Sequence, residues 1–166
     1  TEFEIAGLIS SNFFKNHVRP WVILVAVDDR IKKYRHPIPT DAKLNKIAQM
    51  VICAERFGLI CSCTRLVSFG PIDDDLKRRH KAVVNVDLAF NNSTRPGKKL
   101  SDIFAISKQA YKDNGYANEW QLHHQGGPAG YGSRDLIAND QTNEVVVSNQ
   151  GFAWNPSITG TKSEDT

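Results

Sequence analysis

Apolar residues recur every three or four positions in some stretches of the chain and crowd into short runs in others, and this contrast predicts its elements. Ile5, Leu8, Ile9 and Phe13 mark one face of an opening helix that ends near His17-Val18-Arg19-Pro20, because Pro20 disfavours helical geometry at Arg19. Trp21 to Val27 is dominated by β-branched residues and reads as a buried strand, closed by the charges of Asp28-Asp29-Arg30. Ile47 to Ala54 and Leu59 to Phe69 read as two further strands, with Gly58 supplying the turn between them. One helix is expected from about Asp74 to Asp87, turning Leu76, Val83 and Val84 inward. A second is expected from Leu100 to about Lys112, with Leu100, Ile103, Phe104 and Tyr111 on one side and Gly115 as its stop. Asn91 to Gly97 is the loop between them. Glu144 to Ser148, and then Gly151 to Ile158, are the last strand candidates.

Composition narrows this picture. At 166 residues the chain is long enough for one domain with its own core, and 40% apolar with 23% charged residues is the balance of a soluble globular protein. No apolar run reaches membrane-spanning length and Thr1-Glu2-Phe3-Glu4 lacks a basic leader, so a cytoplasmic protein without a membrane partner is expected. The chain finishes at Ser163-Glu164-Asp165-Thr166 without an apolar closing segment, so the domain expected over 1–166 is taken to be incomplete at its C-terminus. The densest basic run, Lys77 to Lys81, follows Asp73-Asp74-Asp75, an order that suits a solvated helix face better than a nucleic-acid surface. Cys53, Cys61 and Cys63 cannot all pair, and they lack both a fourth soft zinc ligand and the spacing of a redox pair. Reduced thiols are expected.

Three features carry candidate chemistry. His123 and His124 run directly into Gln125-Gly126-Gly127-Pro128-Ala129-Gly130-Tyr131, which holds little regular structure of its own and serves either a tight turn or the approach of backbone to a ligand. Arg35-His36-Pro37-Ile38-Pro39 is a stiff extended loop, either a simple link or a rigid mount for a functional imidazole. Arg65, flanked by Thr64 and Leu66 inside a strand, needs an acidic partner or an open cleft, where a substrate carboxylate would also serve.

Taken in order, Gly58, Thr64-Arg65, Pro96-Gly97, Tyr111, Gly115, the glycine-rich segment after His124, and Glu164-Asp165-Thr166 resemble the pita-bread family of methionine aminopeptidase, aminopeptidase P, prolidase and creatinase. The resemblance spans nearly the whole chain and implies an α+β fold, a curved antiparallel sheet covered by helices. It also implies a dimetal site of two aspartates, one histidine and two glutamates. His124 matches the histidine and Glu164 the last glutamate. Val51 and Ser62 stand where the aspartates belong and Asn155 where the first glutamate belongs, so two of five ligands remain. Tyr131 replaces a catalytic histidine.

The resemblance therefore implies a hydrolase of the Xaa-Pro aminopeptidase and creatinase kind with no metal and no cofactor, and a homodimer as its assembly. Its substrate would be a small amide, amidine or short peptide, with no nucleic acid involved. His36, His124 and Glu164 are the catalytic candidates, and Arg65, Tyr131 and Asn155 the substrate-binding ones. Two other readings stand beside this one: a catalytically inactive binding or structural domain, and a metal-dependent aminopeptidase with atypical ligands. The first reading expects His36, Arg65, His124 and Glu164 to approach a common cleft.

Overall fold

A computed structural model describes residues 1–166. Helix α1 (Glu2–Lys15) begins with a capping box between Thr1 and Glu4. Its predicted apolar face is only partly used: Ile5, Ile9 and Phe13 are half-buried, whereas Leu8 points to solvent. The anchor is instead polar. The fully buried Glu2 carboxylate accepts from the Val27 amide at 2.9 Å, Arg30 Nε at 2.9 Å, and the Thr40 amide and hydroxyl at 2.8 and 2.7 Å. One side chain thus ties α1 to β1 (Arg19–Val27), the short helix α2 (Arg30–Lys33) and the loop that carries His36.

β2 (Ile47–Arg56) and β3 (Leu59–Ser68) form a hairpin in which Arg56 faces Leu59. The turn between them needs two left-handed residues, and Phe57 and Gly58 supply them at φ 55° and 82°. With β1 they make a three-stranded antiparallel sheet in the order β1-β2-β3. β1 starts two residues earlier than its apolar run, crossing Pro20 with an irregularity in register between Pro20 and Val22.

α3 (Asp74–Ser93) and α4 (Leu100–Asp113) pack side by side. Asp73 caps α3, and Lys77 and Arg78 pair with Asp74 and Asp75 on its solvated face. The helix runs six residues beyond Asp87, where the polar Asn-Asn-Ser stretch signals a loop. Burial wins there: Phe90 is fully buried and stacks on Trp154 with ring centroids 4.4 Å apart, and Ser93 folds its hydroxyl back onto the Ala89 carbonyl. Val83, Val86, Phe90, Ile103, Tyr111, Trp154 and Ile158 form the core.

After α4, a 3-10 turn at Glu119–Leu122 leads into the glycine-rich segment. That segment does hold a strand, β4 (Gly126–Pro128), paired with β5 (Phe152–Trp154). Glu144 to Ser148 is not a strand. Only Val145 bridges, to Lys99, while the Glu144 and Val146 carbonyls accept from the Leu100 and Gly97 amides at 2.9 Å each. Gly151 to Ile158 breaks at Asn155-Pro156 into β5 and β6 (Ser157–Ile158), which pairs with β7 (Thr161–Lys162). The sheet is accordingly divided into one three-stranded and two two-stranded parts.

Gly126 carries a testable consequence. Its φ is 93°, and a Cβ there would lie 2.1 Å from the Ala153 carbonyl oxygen, across the β4–β5 pair. Gly126→Ala is expected to cost more than about 1 kcal/mol, measured as a lower urea midpoint. An unchanged midpoint would mean that β4 and β5 are free to separate.

Candidate functional site

The cleft forms where the sheet meets the two short strand pairs. Its floor is Val22 and Leu24 of β1 with Val51 and Cys53 of β2, and its walls carry His36, His124, Arg134, Asn155, Lys162 and Glu164 around about 320 Å³. Four candidates, His36, His124, Asn155 and Glu164, therefore share one cavity.

Two candidates lie elsewhere. Thr64 is buried, so the period-two alternation of β3 sends Arg65 to the opposite face, where it pairs with exposed Asp165 at 2.7 Å. Arg65 thus does not approach the common cleft. Tyr131 is 85% exposed at the outer end of the glycine-rich segment, beside Gly58, and does not line the cavity.

Glu164 is the fixed point of the site. The hydrogen bond from the Thr64 amide to its backbone carbonyl, at 3.0 Å, locks it to β3, and the Thr64 hydroxyl donates to Oε2 at 2.6 Å. Lys162 Nζ lies 2.9 Å from Oε2, and an Arg134 amino group donates to Oε1 at 2.8 Å. Burial pushes the Glu164 carboxyl upward, but Lys162, Thr64 and Arg134 outweigh it and hold the group below the ordinary carboxylate range. For Lys162 burial dominates and lowers the ammonium, against the pull of Glu164. Arg134 also donates to the Ser62 hydroxyl at 3.0 Å, and that hydroxyl contacts Cys53 Sγ at 3.2 Å. Two cations thus face one carboxylate in a nearly water-free wall.

The histidines come from two directions. His36 sits between tethered neighbours: Arg35 pairs with Glu119 and donates to the Ser157 hydroxyl at 2.8 Å, while the Pro37 carbonyl accepts from the Val25 amide at 3.1 Å. The loop is therefore a mount rather than a slack link. His123 and His124 stack with centroids 4.5 Å apart, and the Nε2 atoms of His123 and His36 lie 2.9 Å apart, one donating to the other. Burial, reinforced by Lys162, pushes His123 down to about 2; burial, then Arg134, pushes His124 down to about 4. His36 is also lowered, by burial first and Lys162 next. All three imidazoles are neutral at pH 7 and can accept a proton or a metal.

These shifts give stability a pH dependence. An unfolded imidazole binds its proton near 6.5, whereas folded His123 and His124 resist protonation until far lower. Below about 6.5 the unfolded chain therefore binds protons that the folded chain does not. Stability is complete above that pH and falls as pH drops, by about 1.4 kcal/mol per unit for His123 and by less for half-buried His124. Urea midpoints should fall between pH 7 and 5, and His123→Asn should flatten the slope. Equal midpoints at the two pH values would contradict the buried-imidazole account.

His123, Arg134 and Lys162 belong to the site although the residue pattern assigned none of them a catalytic or substrate-binding role, His123 being marked only as part of the histidine pair that enters the glycine-rich segment. Lys162 had a readable signal, since it lies two residues before Glu164 and residues two apart on a strand share a face. Arg134 had none. Its place depends on the loop that Asp135 closes, accepting from the Gly132 amide at 3.0 Å and donating its own amide to the Pro128 carbonyl at 2.8 Å.

A dimetal centre does not fit these residues. Buried Val51 offers no donor, the Ser62 hydroxyl is engaged by Arg134, and Asn155 brings a neutral amide. Both oxygens of Glu164 are held by side-chain cations. The positive charge a metal would supply there is already covalently part of the chain.

Comparison with known proteins agrees with the architecture. No curated protein matches the chain. The solved prolidase from Pyrococcus horikoshii OT3 superposes with a TM-score of 0.87 at 16% identity, covering 99% of this chain and 50% of that one. The X-Pro aminopeptidase from Thermotoga maritima MSB8 gives 0.85 at 18% identity, covering 99% and 49%. The N-terminal domain of FACT complex subunit SPT16 from Cicer arietinum (chickpea) gives 0.72 at 14% identity, covering 93% and 39%. The chain spans about half the length of the prolidase and aminopeptidase structures it matches, and no helix in it is long and apolar enough to cross a membrane. With the fold shared at this level and residues 1–164 matching its family model, the chain belongs to metallopeptidase family M24.

Proposed function

We propose that this chain is a metal-independent hydrolase built on the pita-bread fold, acting on a small amide or amidine that carries an acidic group. The observation that carries this reading is the Lys162–Glu164–Arg134 cluster, which supplies fixed positive charge where the family's ligand set would gather metal ions. Fixed cations can hold a substrate carboxylate, or stabilise negative charge developing on a reacting oxygen, without further reorganisation. Arg134 takes the role that Arg65 was expected to play. His36, neutral and open to solvent, is the proton acceptor, and His124 faces the same volume. Asn155 is 2% exposed and its Oδ1 has no protein partner, so it suits the N–H of an amide or amidine. A reducing cytoplasmic setting and a homodimer complete the proposal, the latter drawing on the exposed tip of Phe57 and Tyr131.

The second reading, a binding domain without turnover, is favoured by Val51, Ser62 and Asn155 standing at three of the family's five ligand positions. Acidic amidines and Xaa-Pro dipeptides, screened with and without chelator in the parent and in His124→Ala, separate the two. Turnover that survives chelator and is lost in the variant is the expected result. Turnover lost with chelator would restore a metallopeptidase, and none in any substrate class would favour the binding domain.

A further inference from the structure

His36 reaches the cleft from the loop after α2, and His123 and His124 from the segment before β4. One ring nitrogen from each lies within 4.8 Å of the other two, and the closest pair, the Nε2 atoms of His36 and His123, is 2.9 Å apart. Zinc–imidazole bonds of about 2.0–2.1 Å place tetrahedral donors roughly 3.3 Å from one another, so small rotations of these rings would bring all three lone pairs onto one ion. His123 and His124 each keep a buried Nδ1 without a protein partner, and His123 is only 9% exposed. Beyond the hydrogen bond between His36 and His123, no partner on the protein accounts for the stacked His123 and His124 rings in the cleft wall.

The set contains no carboxylate, which selects zinc, copper or nickel over manganese or magnesium. Lys162 and Arg134 oppose a dication, but Glu164 neutralises one of them and exposed His36 keeps one side open to water. The expected affinity is therefore on the order of micromolar, far weaker than that of a structural zinc site. We propose that His36, His123 and His124 form a mononuclear site for an imidazole-preferring divalent ion such as zinc, sharing only His124 with the carboxylate-based pair of the family. A consequence that rests on the hydrolase reading is that zinc, by occupying the lone pairs of His36 and His124, inhibits turnover.

The binding itself is tested without reference to activity. The dialysed chain is titrated with zinc against a chromophoric chelator at pH 7 while its five histidines are followed by NMR. One equivalent should bind, perturbing His36, His123 and His124 and leaving His17 and His80 unchanged. Because His36 is exposed, His36→Gln should fold normally and bind at least roughly 100-fold more weakly, given that even outer-shell losses cost 10–100-fold. Lys162→Met should bind more tightly, by removal of a repelling charge. Binding no tighter than millimolar, binding unchanged in His36→Gln, or binding carried by His17 or His80 would overturn the site. One-to-one zinc binding in a chain that turns over nothing would leave the site standing and remove the hydrolase; chelator-resistant turnover without zinc binding would do the reverse.

Discussion

Replacing Glu164 by glutamine is expected to cost about 3–5 kcal/mol of stability, the range for breaking a buried ion pair from one side. The substitution keeps the shape and removes the one negative charge that Lys162 and Arg134 share at 2.9 and 2.8 Å. Lys162 is 3% exposed and its amine would then face Arg134 with no counter-charge. Lys162→Met should cost less, because Glu164 would keep Arg134 and the Thr64 hydroxyl. The double variant should recover part of the loss, since it leaves one buried cation in place of two. Guanidinium midpoints of the parent and the three variants at pH 7 give the comparison. A Glu164→Gln protein within about 1 kcal/mol of the parent would mean that water reaches the cluster and screens it, and that its cations are not fixed.

The second large effect is on turnover. His36→Gln should lower kcat by roughly 10²–10⁴, the usual contribution of a general base, with KM little changed. The variant should still fold, because the ring is exposed and its loop is held by Arg35, Pro37 and Glu2, the imidazole adding a single hydrogen bond to His123. A variant with parental kcat and a raised KM would make His36 a binding residue instead.

Much of the scaffold was legible because local and tertiary preferences agree. The β2–β3 hairpin follows from two apolar runs flanking Gly58, and the buried sides of α3 and α4 follow from helical spacing. Where they disagree, the sequence misleads. Asn91-Asn92-Ser93 reads as a loop, yet Phe90 on Trp154 carries the helix past it. Glu144 to Ser148 reads as a strand, yet the segment serves the start of α4 through its carbonyls. In the cleft, His124, Asn155 and Glu164 could be named from the resemblance, because each sits at a recognisable point in a motif, and His36 from the two prolines that stiffen its loop. Arg65 follows from alternation once Thr64 is seen to be buried, since neighbouring residues on a strand point to opposite faces. Arg134 and the pairing of His123 with His36 could not, because they depend on how distant loops close over the sheet.

The measurement closest to the central claim is metal content under conditions that favour the family's ions. The chain is equilibrated with excess manganese, which prefers carboxylate donors to the imidazole trio, and is then dialysed exhaustively before elemental analysis. If Lys162 and Arg134 already supply the charge around Glu164, manganese should remain at well below one equivalent per chain. Two retained equivalents would contradict the account.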